Sequence, residues 1–297
     1  MTETLHPRGV FSAALTPLDG DLMPDHARFV AHCQRLLAEG CDGIAMLGTT
    51  GEANSFSVDE RKALLEAALA GGVAPHQLLP GTGVAALTET VALTKHAVAH
   101  GVTTVVMLPP FYYKGVSDEG LFASYSEVVE RVADARLRVV LYHIPQMSAL
   151  PISFGLIERL RARYPSVFTG IKDSAGDFAN MQALVKTFPG LSVLAGADPL
   201  MLPLLREGGA GCITATSNLV AAELAFVFHN FANPAMAAEV EAAQARIVAA
   251  RNRASRFAQM PSLKVMLGAK LNDAAWRRLR PPLLPLTPDE TAALLAG

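Results

Sequence analysis

An alternation of short β-rich runs with helical patterns is the feature that most restricts the fold of this chain. The pair repeats eight times over the first three quarters of the 297 residues, and helices are the usual crossovers between parallel strands. The strand patterns are Val10–Leu15, Gly43–Leu47, Leu78–Gly81, Thr104–Leu108, Arg138–Tyr142, Val167–Lys172, Ser192–Ala195 and Gly211–Thr214. The helical patterns between them include Pro24–Ala38, Val58–Ala70, Thr88–His100, Ser117–Val132, Ile152–Ala162, Asp177–Thr187 and Pro199–Arg206. A count of eight favours a closed (β/α)8 TIM barrel over an open sheet.

Strand patterns stop after about Leu219. The rest of the chain is predicted to be helical, with helices at Ala221–Phe231, Pro234–Arg253 and Ser255–Leu271, a proline-rich connector and a final short helix. Nothing between the two parts has the composition of a flexible linker. We therefore predict a barrel over residues 1–218 and a C-terminal helical extension over residues 219–297 that packs on the barrel.

Composition limits the partners and the compartment. Hydrophobic residues make up 51% of the chain, charged residues make up 18%, and the net charge is −2, which argues against nucleic-acid binding. No apolar segment is long enough to cross a bilayer, and residues 1–10 lack the apolar stretch of a signal peptide. We expect a protein of the cytoplasm that has neither a membrane nor a nucleic-acid partner.

Cysteine and histidine spacing does not indicate a metal site. Cys33, Cys41 and Cys212 form no Cys-x-x-Cys pair, so they are interpreted as buried packing residues. His96 and His100 stand four apart on a predicted helix, but the glutamate of the zinc-protease motif and a third ligand are missing. We interpret them as an ordinary helix surface and expect no metal.

Lys172 ends the apolar run that begins at Val167. Burial removes the hydration of an ammonium and favours the free amine, which is the form that attacks a ketone to give a Schiff base. The alternative is a lysine at the exit of a strand that reaches water. From this run alone the two interpretations remain open.

Polar groups follow other strands at the same predicted end of the barrel, where such barrels place their working residues. Gly48-Thr49-Thr50-Gly51-Glu52 follows the second strand and could bind a small anion, or could be a tight turn with capping threonines. Tyr142 ends the fifth strand and could carry protons, or could be a core tyrosine bonded to a carbonyl. Phe111, Tyr112 and Tyr113 follow the fourth strand as lining or interface residues.

The order and spacing of three motifs resemble one family. These are Gly48-Thr49-Thr50-Gly51-Glu52, Tyr142-His143-Ile144-Pro145 and Gly170-Ile171-Lys172-Asp173. Together they resemble the dihydrodipicolinate synthase/N-acetylneuraminate lyase family of class I aldolases, and the resemblance extends over nearly the whole chain. It implies a (β/α)8 barrel that joins or cleaves carbon–carbon bonds with pyruvate or a 2-keto acid and an aldehyde, without a metal or an organic cofactor.

The resemblance also implies roles for individual residues. Lys172 would form the Schiff base and Tyr142 would shuttle protons. Thr50 and the backbone of its turn would hold the pyruvate carboxylate, and Thr49 would link Tyr142 to a tyrosine of a neighbouring subunit. That tyrosine resembles Tyr112, with Tyr113 as the alternative, and it implies a homotetramer. The other substrate-binding positions implied by the resemblance are Gly48, Gly196, Ile213, His143 and Met147.

One departure bears on the substrate. In members that make dihydrodipicolinate, the fifth strand ends in a sequence similar to Tyr-Asn-x-Pro-x-Arg-Thr-Gly. Here Met147 stands at the arginine position and His143 at the asparagine position. A thioether cannot replace a bidentate arginine–carboxylate pair. His143 could meet a hydroxyl of a longer substrate or could simply pack.

We therefore expect a lyase acting on a 2-keto-3-deoxy sugar acid or a related hydroxy-keto acid. The alternatives are a dehydratase that uses the same imine chemistry, 4-hydroxy-tetrahydrodipicolinate synthase, and a catalytically silent keto-acid-binding barrel. The sequence does not distinguish the aldehyde or its stereochemistry, aldolase from dehydratase activity, or any feedback regulation.

Overall fold

The computed structural model describes residues 6–296 and contains one parallel sheet with the strand order β2-β1-β7-β6-β5-β4-β3. The strands are β1 Gly9–Ala13, β2 Gly43–Ala45, β3 Thr104–Met107, β4 Arg138–His143, β5 Phe168–Asp173, β6 Ser192–Ala195 and β7 Gly211–Thr214. The predicted strands lie within two residues of these, with one exception. Residues 1–5 of the amino-terminal segment considered above lie outside the described residues.

The exception is Leu78–Gly81, which was predicted as a strand and forms only isolated parallel bridges, Ile44 with Leu78 and Gly81 with Val106. Pro80 has no N–H to donate, and this shortens the ladder. The segment still joins β2 to β3, because Leu79 N–H donates to Ile44 O at 2.9 Å and Val106 N–H donates to Pro80 O at 2.9 Å. The ring is thereby nearly closed, and the prediction of a (β/α)8 barrel is confirmed.

Helices follow the strands around the outside of the barrel. They are α1 His26–Ala38, α2 Val58–Ala70, α3 Leu87–Ala99, α4 Asp118–Val132, α5 Pro145–Ser148, α6 Phe154–Arg163, α7 Phe178–Thr187, α8 Met201–Arg206, α9 Ser217–Asn230, α10 Ala237–Ala254, α11 Gln259–Lys270 and α12 Pro288–Ala296. Several begin at a side chain that accepts from the first turn, for example Ser57, which forms a capping box with Glu60. The four-residue helix α5 is too short to leave a periodic pattern and was not predicted.

Two predicted helix starts in the carboxyl-terminal part are wrong by four residues. Helix α9 begins at Ser217 rather than at Ala221, and Val220 interrupts its helical geometry. Helix α11 begins at Gln259 rather than at Ser255. Helix α9 is tied to the barrel because the Asn218 side chain accepts from Leu15 N–H and donates to Ala13 O.

The strands of the barrel have apolar residues packed on both their inner and their outer faces. The barrel interior holds a small cluster that includes Phe11, Val140 and Ile213, and the larger cluster lies between the strands and the outer helices. A third cluster, around Trp276 and Leu263, packs the carboxyl-terminal helices against the start of the barrel. Cys33, Cys41 and Cys212 are free and buried, which confirms that they are packing residues.

Candidate active site

A pocket opens at the carboxyl ends of the strands and brings together residues that are far apart in the sequence. Five of the predicted site residues line it, namely Gly48, Thr49, Tyr142, Lys172 and Ile213. The floor is apolar, with Ala13, Leu79 and Val106 among its residues. Such a pocket excludes most water and strengthens the interactions of the few polar groups in it.

Lys172 and Tyr142 lie side by side on β5 and β4, where the register pairs them directly. The Lys172 side chain is only 5% exposed, and its Nζ lies 4.1 Å from the centroid of the Tyr142 ring. The amine therefore does not extend into bulk water, contrary to the alternative of a strand-exit lysine. A cation over a phenol ring is stabilised by the negative face of the ring.

The Tyr142 hydroxyl lies 3.4 Å from Thr49 Oγ1, so the tyrosine contacts another hydroxyl at the mouth of the barrel. Burial opposes ionisation of this phenol, yet the pKa of Tyr142 is lower than its ordinary value because the nearby Lys172 cation favours the phenolate. Hydrogen bonds with Thr49 and Ser174 lower the pKa of Tyr142 further. Tyr142 is thus suited to exchange a proton with a group bound at Lys172.

Ser174 was not among the predicted site residues. It directly follows Asp173, the last residue of β5, and its N–H donates to His143 O at 2.8 Å. Its hydroxyl also occupies the space beside Gly196, where an added Cβ would lie 1.9 Å from Ser174 Oγ. Gly196 therefore makes room for a hydroxyl that reaches Tyr142. The glycine after β6 was the sequence signal that could have pointed to this serine.

The turn at residues 48–52 has an unusual backbone. Leu47, which precedes it, and Glu52, its last residue, both adopt left-handed conformations, with φ values of 57° and 56°. Within residues 6–296, the backbone N–H groups of Thr49, Thr50 and Gly51 have no hydrogen-bond acceptor. Free N–H groups in a turn of this kind can bind a carboxylate.

Glu52 anchors this turn from below through an ion pair that the sequence analysis missed. Its carboxylate contacts the ammonium of Lys264 on α11, and both side chains are fully buried. Lys264 also donates to Arg278 O at 2.8 Å. Burial lowers the pKa of Lys264, and the carboxylate of Glu52 opposes that effect. The sequence signal was present, because Lys264 lies in the apolar run from Leu263 to Leu267.

The two buried lysines differ in their partners. Lys264 faces a carboxylate, which favours its charged, unreactive form. Lys172 faces the Tyr142 ring at the pocket and has no carboxylate within ion-pair distance among the described residues. Burial alone therefore does not single out the nucleophile.

The other predicted positions are not among the residues that line the pocket. His143 is buried and its Nδ1 accepts from Ile152 N–H at 3.1 Å, and burial lowers its pKa. Successive strand residues point to opposite faces, so His143 faces the helices when Tyr142 faces the pocket. Thr50 is half-buried in its turn. Met147 is 62% exposed, and Tyr112 and Tyr113 are 71% and 70% exposed.

Comparison with known proteins places the chain in a family. The fold and the site define a (β/α)8 barrel with a buried lysine–tyrosine pair at the carboxyl ends of its strands. A model of the dihydrodipicolinate synthetase family matches residues 6–296, and the chain belongs to this family. Members of the family are lyases or aldolases, and the resemblance stated from the motifs is confirmed.

Individual relatives are similar over most of the chain. An uncharacterized DapA-like lyase of Chloroflexus aurantiacus is 39% identical over 98% of this chain and 96% of its own length. A 4-hydroxy-tetrahydrodipicolinate synthase of Hyphomonas neptunium is 33% identical over 74% of each chain. The crystal structure of dihydrodipicolinate synthase from Agrobacterium tumefaciens matches with a TM-score of 0.88, 30% identity and 97% coverage of both chains. Among the described residues, no helix is both long and apolar enough to span a membrane.

Proposed function

We propose that the protein is a pyruvate-dependent lyase that forms a Schiff base on Lys172. The observation that carries the proposal is the buried Lys172 amine, which lines the pocket and lies 4.1 Å from the Tyr142 ring. The amine nitrogen adds to the keto carbon of the substrate, and loss of one water leaves an imine. Membership in a family of lyases and aldolases supports this class of reaction.

Tyr142 moves the protons that this chemistry requires. Dehydration of the first adduct needs a proton on its departing hydroxyl, and cleavage needs a base that removes a proton from the hydroxyl of the carbon that becomes the aldehyde. The phenol of Tyr142 can serve both steps, with Thr49 at 3.4 Å as the next hydroxyl of a relay. The electrons of the broken carbon–carbon bond pass to the imine and give an enamine, which is protonated and hydrolysed to pyruvate.

The turn at residues 48–52 binds the substrate carboxylate in this proposal. The N–H groups of Thr49, Thr50 and Gly51 and the Thr50 hydroxyl are the donors. Gly48 lets the substrate approach the backbone closely, and Ile213 forms part of the apolar wall of the pocket. These groups and the imine itself stabilise the charges of the reaction, so the mechanism has no step that requires a metal or an organic cofactor.

The preferred substrate is a 2-keto-3-deoxy sugar acid or a related hydroxy-keto acid, which would be cleaved reversibly to pyruvate and an aldehyde. Met147 stands where synthases of dihydrodipicolinate are expected to place an arginine, and its exposed thioether offers no bidentate donor to a second carboxylate. Dehydration of a sugar acid through the same enamine is the closest variant, because the enamine can also expel a β-hydroxyl group.

The second candidate is 4-hydroxy-tetrahydrodipicolinate synthase. It is favoured by the names of the relative from Hyphomonas neptunium and of the solved structure from Agrobacterium tumefaciens, at 33% and 30% identity. Met147 argues against it, since loss of a charged hydrogen bond costs about 1.5–3 kcal/mol, or about 10- to 100-fold in affinity. Efficient turnover of pyruvate with aspartate semialdehyde would reverse our preference.

Reductive trapping tests the Schiff base itself. The protein is incubated with pyruvate and borohydride, and its intact mass is compared with that of Lys172→Ala and of Lys270→Ala, a matched variant of a half-exposed lysine. We expect a covalent adduct in the wild type and in Lys270→Ala and none in Lys172→Ala. A silent binding barrel would give no adduct with pyruvate or with any keto acid of a sugar-derived panel, although it would bind one of them.

Pyruvate release measured with lactate dehydrogenase then identifies the substrate. Cleavage of a sugar-derived keto acid produces pyruvate, whereas dehydration consumes the same compound without releasing it. If the protein neither cleaves nor dehydrates these keto acids but does turn over aspartate semialdehyde with pyruvate, the second candidate is established.

We also propose a homotetramer in which Tyr112 acts in the site of a neighbouring subunit. Tyr112 and Tyr113 are exposed, pack edge to face at 5.4 Å between centroids, and are absent from the lining of their own pocket. Mixed oligomers of Lys172→Ala and Tyr112→Phe subunits test this arrangement, because only donation between subunits reconstitutes a complete site. Failure of the mixture to regain activity, with success for the equivalent Tyr113→Phe mixture, would assign the role to Tyr113.

A further inference from the structure

Three potential metal ligands converge on the outer surface of the barrel, between α2 and α3. His96 and His100 lie one turn apart on α3, and Glu66 projects toward them from α2. One ligand atom from each residue lies within 4.8 Å of the other two. The spacing of the two histidines was visible in the sequence, and the missing third ligand was the reason for expecting no metal. The packing of α2 against α3 supplies it.

The tautomer of each histidine is suited to metal binding. His100 Nδ1 lies 2.9 Å from His96 O, and because a carbonyl only accepts, that nitrogen carries the proton and leaves the lone pair on Nε2. The His96 ring has a hydrogen bond with the Lys62 carbonyl, and His96 Nε2 is buried without a hydrogen bond. A ring nitrogen bound to a backbone carbonyl, with the other one free, is the usual state of a metal-binding histidine.

The distances approach those of a tetrahedral site. Zinc–ligand bonds of about 2.0–2.1 Å at tetrahedral angles place neighbouring ligand atoms about 3.3 Å apart. His96 Nε2 lies 3.2 Å from Glu66 Oε1, although the two atoms do not form a hydrogen bond. The ligand atom of His100 lies within 4.8 Å of the other two, so it needs to move by about 1.5 Å at most. Glu66 and His100 are exposed and can rotate without repacking the core.

The local charge permits a cation. Glu66 contributes one negative charge, and the unbonded Nε2 of His96 faces its carboxylate at 3.2 Å. Lys62, one turn before Glu66, is half-buried, and its positive charge opposes binding. Two imidazoles and one carboxylate form the ligand set of many zinc sites, and such a set binds Zn²⁺, Ni²⁺ and Cu²⁺ in preference to Mg²⁺ or Ca²⁺.

We propose that Glu66, His96 and His100 form a binding site for a divalent transition-metal ion of the zinc class. Water would complete the coordination. None of the three residues lines the pocket that contains Lys172, so the ion has no part in the Schiff-base chemistry. Its effect is to join α2, which follows the turn at residues 48–52, to α3 and thereby to stiffen this side of the barrel.

Calorimetric titration of chelator-treated, dialysed protein with Zn²⁺ tests the proposal. We expect one equivalent per chain in the wild type, and loss of at least about ten-fold in affinity in His100→Ala and in Glu66→Gln. His76→Ala, which changes an exposed histidine outside the cluster, should bind as the wild type does. The three cysteines do not compete, because burial raises the pKa of Cys33 and of Cys41 to about 12 and that of Cys212 well above its ordinary value.

A second measurement reports the geometry. Co²⁺ in the same site should give the visible absorption of a tetrahedral complex in the wild type and in His76→Ala, and Zn²⁺ should bleach it. Absence of saturable binding, or equal binding by His100→Ala, would overturn the proposal. Trapping of pyruvate with borohydride should be the same with Zn²⁺ and with chelator. The outcome of the metal-binding experiments therefore does not depend on the proposed Schiff-base activity.

Discussion

Lys264→Met removes the cation that neutralises Glu52 inside the protein. The two side chains are fully buried and in contact, and Lys264 Nζ also donates to Arg278 O at 2.8 Å. The variant retains most of the volume and hydrophobic contact of the side chain, so its cost arises from an unpaired carbonyl and from a buried carboxylate without its cation, which among the described residues keeps only the Arg280 N–H at 3.4 Å. Methionine is therefore the appropriate replacement, since alanine would add a cavity.

The expected magnitude follows from the burial of the pair. Loss of one partner of a buried ion pair costs about 3–5 kcal/mol, which at about 2 °C per kcal/mol for a chain of this size lowers the unfolding midpoint by about 6–10 °C. Urea and thermal unfolding followed by circular dichroism measure the change. The matched control is Lys270→Met on the same helix, whose exposed pair with Glu39 at 3.4 Å should contribute less than about 1 kcal/mol.

A double variant separates the ion pair from a general effect of the substitution. Glu52→Gln should restore stability when it is added to Lys264→Met, because it removes the unpaired charge. Simple additivity of the two single substitutions, or a cost of Lys264→Met no larger than that of Lys270→Met, would show that the ion pair is not the cause. Since Glu52 anchors the turn of Thr49 and Thr50, we also expect Lys264→Met to raise the KM for pyruvate at a temperature where it is fully folded.

Three further predictions concern the pocket. Tyr142→Phe should slow imine formation by about 10²-fold or more in stopped-flow trapping, as expected when a general acid–base is lost, and unchanged rates would remove Tyr142 from that role. Ultraviolet difference titrations of the wild type against Tyr142→Phe isolate the ionisation of Tyr142, whose pKa should lie below the ordinary tyrosine value. In Lys172→Met the pKa of Tyr142 should rise, because the cation is gone and burial remains. An unchanged midpoint would contradict the assigned cause. Thr50→Val should weaken pyruvate binding by about 10- to 100-fold through loss of a charged hydrogen bond while Thr50→Ser retains it, and equal values for both would exclude the hydroxyl.

Much of the barrel could be predicted because its signals are local. Alternating strand and helix patterns, with caps such as Ser57, depend on neighbouring residues only. The same locality explains the errors. Pro80 shortens one strand to bridges that depend on hydrogen bonds to the Ile44 carbonyl and from the Val106 N–H, and the start of α9 depends on Asn218 reaching β1. Neither effect has a periodic signature.

The alternating patterns and the three motifs were enough to predict the barrel architecture and a lysine, a tyrosine and a polar turn at the same end of the strands. The partners of each group depend on the tertiary structure. It paired Lys264 with Glu52 and placed Lys172 against Tyr142, although both lysines lie in similar apolar runs. It also brought Glu66 to His96 and His100. The physical reason is that the state of a buried ionisable group depends on the charges and dipoles within a few ångströms, and those neighbours come from distant parts of the chain.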